Sequence, residues 1–206
     1  MGPVFVKRAI FVGQYSYSEW LIADYSARVV IIFFSVYALR SGLVRSDHKA
    51  AGLIRSAPIF VIALSAMAMT QILRLGAPFD VVLWKPLIDP VLDIDQRLAV
   101  FDLILGLVLV ALSEELAFRK YLFGFLEQLE AGPLGVVLLS STLFALLHFT
   151  SGSPTAISAF IYGCILGILF LLTRRLSLCV IAHYLIDFYI FGSWYGGAGL
   201  FSRVPV

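Results

Sequence analysis

Leu112-Ser113-Glu114-Glu115-Leu116-Ala117-Phe118-Arg119-Lys120-Tyr121 sets two adjacent carboxylates and an arginine inside one of the most apolar regions of the chain. Upstream runs Leu103-Ile104-Leu105-Gly106-Leu107-Val108-Leu109-Val110-Ala111, and downstream Leu122-Phe123-Gly124-Phe125-Leu126. Such flanks make the stretch a membrane-depth helix. Ionisable groups at that depth cost free energy and point to function unless partners offset them. The remaining sequence is therefore read for the partners it supplies.

Composition agrees with a membrane setting. Of 206 residues, 61% are hydrophobic and 14% charged. Soluble domains are roughly 45–50% apolar and about 25% charged. The net charge of +2 gives no nucleic-acid footprint. Cys164 and Cys179 both lie in apolar segments, so they read as small hydrophobes rather than a disulfide or metal pair. Lys7 and Arg8 precede too short an apolar run for a cleaved signal peptide.

The expected fold is all-α, a multi-pass bundle of about six transmembrane helices around a polar intramembrane site. Residues 1–20 read as interfacial, with Trp20 near the first span, 21–39. Asp24 and Arg28 lie four apart on that span and read as a structural ion pair. Residues 40–56 form the most basic connection, with Arg40, Arg45, Lys49 and Arg55, and mark the cytoplasmic side. A second span, 57–75, is rich in small residues. Residues 76–96 hold Pro78, Pro86 and Pro90 with Asp80, Asp89, Asp93 and Asp95, and read as a solvated external loop.

A continuous helical pattern without proline runs over 97–130, roughly 50 Å long, so it must tilt, kink or protrude. Ala131-Gly132-Pro133 ends it, and further spans follow at 134–149, 155–172 and 177–194. Ser151-Gly152-Ser153-Pro154 is a turn. Gly163 and Gly167 give a G-x-x-x-G helix-packing spacing. Six spans put 40–56, the 130–133 turn and Arg174-Arg175 on one side, while Lys7 and Arg8 fall on the other, against the charge rule. The chain divides into an N-terminal membrane region, 1–96, a core of four helices, 97–195, and a flexible glycine-rich tail, 196–206. No internal repeat is visible.

The ionisable residues at membrane depth are Glu114, Glu115 and Arg119, then His148, then His183 and Asp187. His48 lies in the basic loop and reads as solvated. Glu115 and Arg119 share a helix face and can pair, leaving Glu114 about 100° around the helix. Ser113 adjoins Glu114 but is expected to point elsewhere. Glu114 and His148 stand at similar distances from the 131–133 turn, so an antiparallel hairpin brings them to one depth. His183 lies closer to the Arg174-Arg175 turn, and counting alone places it nearer the cytoplasmic side.

A glutamate and a histidine can hold a water and take its proton. A second histidine with an acid one turn away can support the oxyanion of an attacked amide. The same residues could ligate Zn²⁺, but H-E-x-x-H is absent. The bland alternative is a set of helix–helix ion pairs and hydrogen bonds. For Glu115 and Arg119 it is the preferred reading.

Glu114-Glu115-x-x-x-Arg119, Phe144-x-x-x-His148 and His183-x-x-x-Asp187 resemble, in order, the three motifs of the CAAX protease and bacteriocin-processing family, the type II CAAX prenyl endopeptidase-like glutamic intramembrane proteases. The resemblance implies an endopeptidase whose water is held by Glu114 and His148. His183 and Asp187 would support the oxyanion and the water, and Glu115 and Arg119 would hold the motif in place. It implies no cofactor, with Zn²⁺ as the alternative. The implied substrate is a membrane-anchored protein or peptide: a sorting-tagged protein, a bacteriocin precursor or a lipidated protein. The implied location is a prokaryotic cytoplasmic membrane. A non-catalytic immunity or scaffold protein built on the same polar cluster is the competing class, and a coupled transporter a third. Residues 1–95 carry no family motif.

Overall fold

A computed structural model describes residues 17–42, 49–76 and 96–197. The interfacial reading of 1–16, the loop positions 43–48 with His48, the acidic stretch 77–95 and the tail beyond 197 lie outside the described residues. Within them the fold is an all-α bundle of six helices: α1 Tyr17–Arg40, α2 Leu53–Gly76, α3 over 96–128, α4 Pro133–Leu147, α5 Ser153–Thr173 and α6 Leu176–Gly197. Helix α6 includes Gly196 and Gly197, the first two residues of the expected tail.

Three stretches are long and apolar enough to cross a bilayer: Leu21–Arg40, Leu53–Leu73 and Ser153–Thr173. Pro133–Leu147 and Leu176–Gly192 are shorter apolar helices. The outer faces of α1 and α2 expose Ile22, Phe33, Phe34, Ile54 and Ile62. Hydrocarbon, rather than water, is the solvent such a surface suits.

The core forms where α5 passes between its neighbours. Leu166 and Leu169 are fully buried against Met67 of α2, Phe123 of α3, Val136 and Val137 of α4, and Cys179, Ala182 and Ile186 of α6. The G-x-x-x-G spacing works as expected, with α4 as its partner. A Cβ on Gly163 would stand 3.0 Å from the Ser141 Cβ, and one on Gly167 would stand 3.4 Å from Val137 Cγ1 and Phe123 Cζ. Gly163→Val is therefore expected to push α4 from α5 and cost about 1–3 kcal/mol, read as a lowered midpoint of thermal unfolding in detergent.

One end of the bundle is tied by basic side chains. Arg174 Nη1 donates to Glu127 Oε1 at 2.6 Å, and Arg175 Nε donates to the Ala51 carbonyl at 2.6 Å. Ala51 N–H donates to the Thr173 carbonyl at 2.9 Å. The described part of the basic connection, the end of α3 and the α5–α6 turn thus lie on one side, as the alternation of spans requires. Both helix ends there close with a left-handed residue, Glu130 (φ 57°) and Arg174 (φ 53°).

Helix α3 departs from the continuous α pattern. It winds as π-helix over Asp102–Gly106 and again over Leu116–Leu122. Such widenings collect at functional sites. At the first, Tyr25 of α1 donates its hydroxyl to Asp102 Oδ1 at 2.7 Å. Gly106 makes room for that contact, since a Cβ there would collide with both Asp102 Oδ1 and the Tyr25 hydroxyl. The second begins directly after Glu115 and fixes how the polar cluster is displayed.

Candidate active site

Glu115 and Arg119 form the sealed half of the cluster. Both side chains are 0% exposed, and Arg119 Nε lies 3.2 Å from Glu115 Oε2. The contact lacks hydrogen-bond geometry, and neither Nη1 nor Nη2 of Arg119 meets an acceptor. The π winding between the two residues moves positions four apart out of strict alignment. Aromatic faces take up the remaining charge: the Arg119 Cζ lies 5.3 Å from the Phe144 ring centre and 6.0 Å from that of Phe118.

His183 of α6 joins this half to the other. Its Nδ1 lies 2.9 Å from Glu115 Oε1, and its Nε2 lies 3.4 Å from Asp187 Oδ2 and 3.8 Å from Glu114 Oε2. Both ring nitrogens thus face carboxylate oxygens, which a ring carrying two N–H donors satisfies. The expected offset of His183 toward the cytoplasmic side is bridged by side chains, since its ring reaches both Glu115 and Glu114. Arg174 stands level with Glu127, not with the 131–133 turn. Counted from that contact, Glu114 and His183 are closer in depth, and their side chains span the rest.

Glu114 takes its nearest partner from α1. Arg28 Nη1 donates to Glu114 Oε1 at 3.0 Å and to Ser113 Oγ at 3.2 Å, while Arg28 Nε donates to Asp24 Oδ2 at 2.6 Å. The Asp24–Arg28 pair forms as expected, and the same guanidinium also reaches Glu114, so it is forked between the two carboxylates. The expectation that Ser113 points elsewhere is also corrected, since Ser113 and Glu114 share one donor. Arg28 is the neighbour of Glu114 that motif reading missed. Its signal was a second charged pair at membrane depth, in a helix with no recognisable motif.

His148 is the C-cap of α4, not part of its last turn. Its Nδ1–H donates to the Phe144 carbonyl at 2.9 Å, and its ring lies 4.8 Å from that of Phe144. A carbonyl only accepts, so Nδ1 carries the proton, and the neutral ring keeps a lone pair on Nε2. His148 lies within electrostatic reach of Glu114 and Asp187, but makes neither a hydrogen bond nor an ion pair with them. Gly152, at φ 90°, turns the chain from the short Phe149–Ser151 helix into α5 just beyond.

One acidic pair, one sealed arginine and two histidines from separate helices now stand in the order of the three motifs. Residues 96–189 match the family model described as Type II CAAX prenyl endopeptidase Rce1-like. These residues form an Rce1-like domain. Comparison with curated proteins and with solved structures gave no match.

The Rce1-like domain opens at the first residue of α3 and closes within α6, so Glu114, Glu115, Arg119, His148, His183 and Asp187 all lie inside it. In general terms it is a CAAX-type membrane protease domain, and its apolar helices make the chain an integral membrane protein. Helices α1 and α2 lie outside the match, so Arg28 reaches the polar cluster from beyond the Rce1-like domain. Among the described residues, no three His, Cys, Asp or Glu side chains converge as a metal site would require.

Proposed function

We propose that the Rce1-like domain is a glutamic intramembrane endopeptidase in which Glu114 and His148 activate a water. The observation that carries this is the difference between two neighbouring carboxylates. Glu115 is sealed and doubly engaged, whereas the Glu114 side chain keeps 12% of its surface exposed and holds only Oε1 against Arg28. Its Oε2 remains for a water shared with the unprotonated Nε2 of His148. Glu114 takes the proton as the water oxygen attacks the scissile carbonyl, and returns it to the departing amine. His183, held through Nδ1 by Glu115, turns its Nε2–H from Asp187 to the carbonyl oxygen as negative charge builds there. Asp187 accepts from that ring, so it acts by orienting it.

The substrate is a protein or peptide held in the membrane, cut near its C-terminus or anchor: a sorting-tagged protein, a bacteriocin precursor or a lipidated protein. A membrane anchor would deliver the bond to a site enclosed by helices. The location is a prokaryotic cytoplasmic membrane. The chemistry uses no cofactor, and exhaustive chelation that leaves activity intact separates it from a Zn²⁺ mechanism.

The test uses reconstituted protein and a set of quenched reporter peptides. Some are anchored through a farnesylated cysteine near the C-terminus, and others through a transmembrane segment. Wild type is expected to cleave at least one of them. His148→Ala is expected to lower turnover by about 10²–10⁴-fold, the range for a lost proton-transfer group. Unchanged turnover in His148→Ala would remove the assigned water-holding pair.

A further inference from the structure

We infer that Arg28, contributed by α1 from outside the Rce1-like domain, is a positioning residue that holds the Glu114 carboxylate for catalysis. The inference rests on the glutamic mechanism proposed above and extends it to a helix with no family motif.

Polar contacts tie α1 to α3. Tyr25 meets Asp102 at 2.7 Å, and Arg28 meets Ser113 and Glu114 at 3.2 and 3.0 Å. The Arg28 contacts touch the candidate site. Arg28 is itself buried, 3% exposed, and its Nε is fixed by Asp24 at 2.6 Å. A guanidinium fastened at one edge presents its other edge in a fixed direction. Here that edge grips Oε1 of Glu114 and leaves Oε2 turned toward His183.

Charge adds a second reason. Glu114 adjoins Glu115 in the chain, with His183 facing it from α6, His148 from α4 and Arg28 from α1, while Asp187 meets His183 and Asp24 meets Arg28. Arg119 is bound to Glu115 and contacts Phe144. Among the described residues Arg28 is therefore the nearest cation to Glu114, at 3.0 Å against 3.8 Å for the His183 ring. Enclosed carboxylates need such a partner.

The experiment compares wild type, Arg28→Gln, Arg28→Lys, Tyr25→Phe and Glu114→Gln in liposomes. Each is assayed with the anchored reporter that wild type cleaves fastest, and kcat and KM are obtained separately. Arg28→Gln is expected to lower kcat by about 10–100-fold, the effect of losing one hydrogen bond to a charged group, with KM within a factor of about two. Arg28→Lys keeps the charge without the fork and should fall between the two. Tyr25→Phe loosens the same helix pair without touching Glu114 and should keep the kcat of wild type.

Wild-type kcat in Arg28→Gln, or an equal fall in Tyr25→Phe, would overturn the positioning role. The glutamic mechanism would survive that result so long as Glu114→Gln is inactive. If Arg28→Gln does not accumulate as folded protein, Arg28→Lys decides, and wild-type kcat in that variant overturns the role. Glu114→Gln cleaving as fast as wild type would instead reject the glutamic mechanism, and the role of Arg28 with it.

Discussion

Exchanging Arg119 for alanine is expected to cost the folded protein about 3–5 kcal/mol, the scale for breaking a buried ion pair by removing one partner. Arg119 and Glu115 are both fully enclosed. Without the guanidinium, the Glu115 carboxylate keeps only His183 as a close partner. The aromatic faces of Phe118 and Phe144 also lose the group that fills the space over them. The charge, rather than the packing, should dominate. A double variant, Arg119→Met with Glu115→Gln, removes both charges and leaves a side-chain oxygen for His183, so it should recover most of the loss. Thermal and denaturant unfolding in detergent measures both. A loss below about 1 kcal/mol in the single variant would mean that the pair is weaker than its burial implies.

Glu114→Gln has the opposite profile. Glutamine preserves shape and an oxygen for Arg28, and Arg28 keeps Asp24 and Ser113. Stability should therefore change by less than about 1 kcal/mol. Turnover of an anchored reporter should fall by about 10²–10⁴-fold, because the side chain can no longer accept a proton from water. KM should hold, since the change touches a step after binding. The two adjacent glutamates are thus expected to separate cleanly: disturbing the ion pair of the second lowers stability, while replacing the first lowers turnover.

Much of this was legible before the structure. A carboxylate pair, two histidines and an aspartate in apolar helices leave few alternatives to a polar intramembrane site, and the i,i+4 spacing of Glu115 and Arg119 gave the ion pair directly. Gly163 and Gly167 likewise announced a close helix contact. Three things escaped. Periodicity assumes an α-helix, so it could not show the π windings at Asp102–Gly106 and Leu116–Leu122 that flank the acidic pair. Counting depth along the backbone leaves out side-chain reach, which carries His183 to Glu115 and Glu114. Motif reading works along one segment, whereas the contact between Arg28 and Glu114 joins residues 86 apart in the chain. Only packing reveals such a partner. Asp24 and Arg28, charged at membrane depth without a motif, were the one trace of it in the sequence.

The most direct measurement follows the water itself. The reconstituted protein cleaves its fastest anchored reporter in water enriched in heavy oxygen, under single-turnover conditions, and the products are weighed by mass spectrometry. Hydrolysis by a water held between Glu114 and His148 predicts one heavy oxygen in the newly formed carboxylate of the N-terminal product, at one bond, in wild type and in chelator-treated protein. Glu114→Gln should form that product about 10²–10⁴-fold more slowly. Labelled product at the wild-type rate from Glu114→Gln, or cleavage abolished by the chelator and restored by Zn²⁺, would contradict a glutamate-activated water.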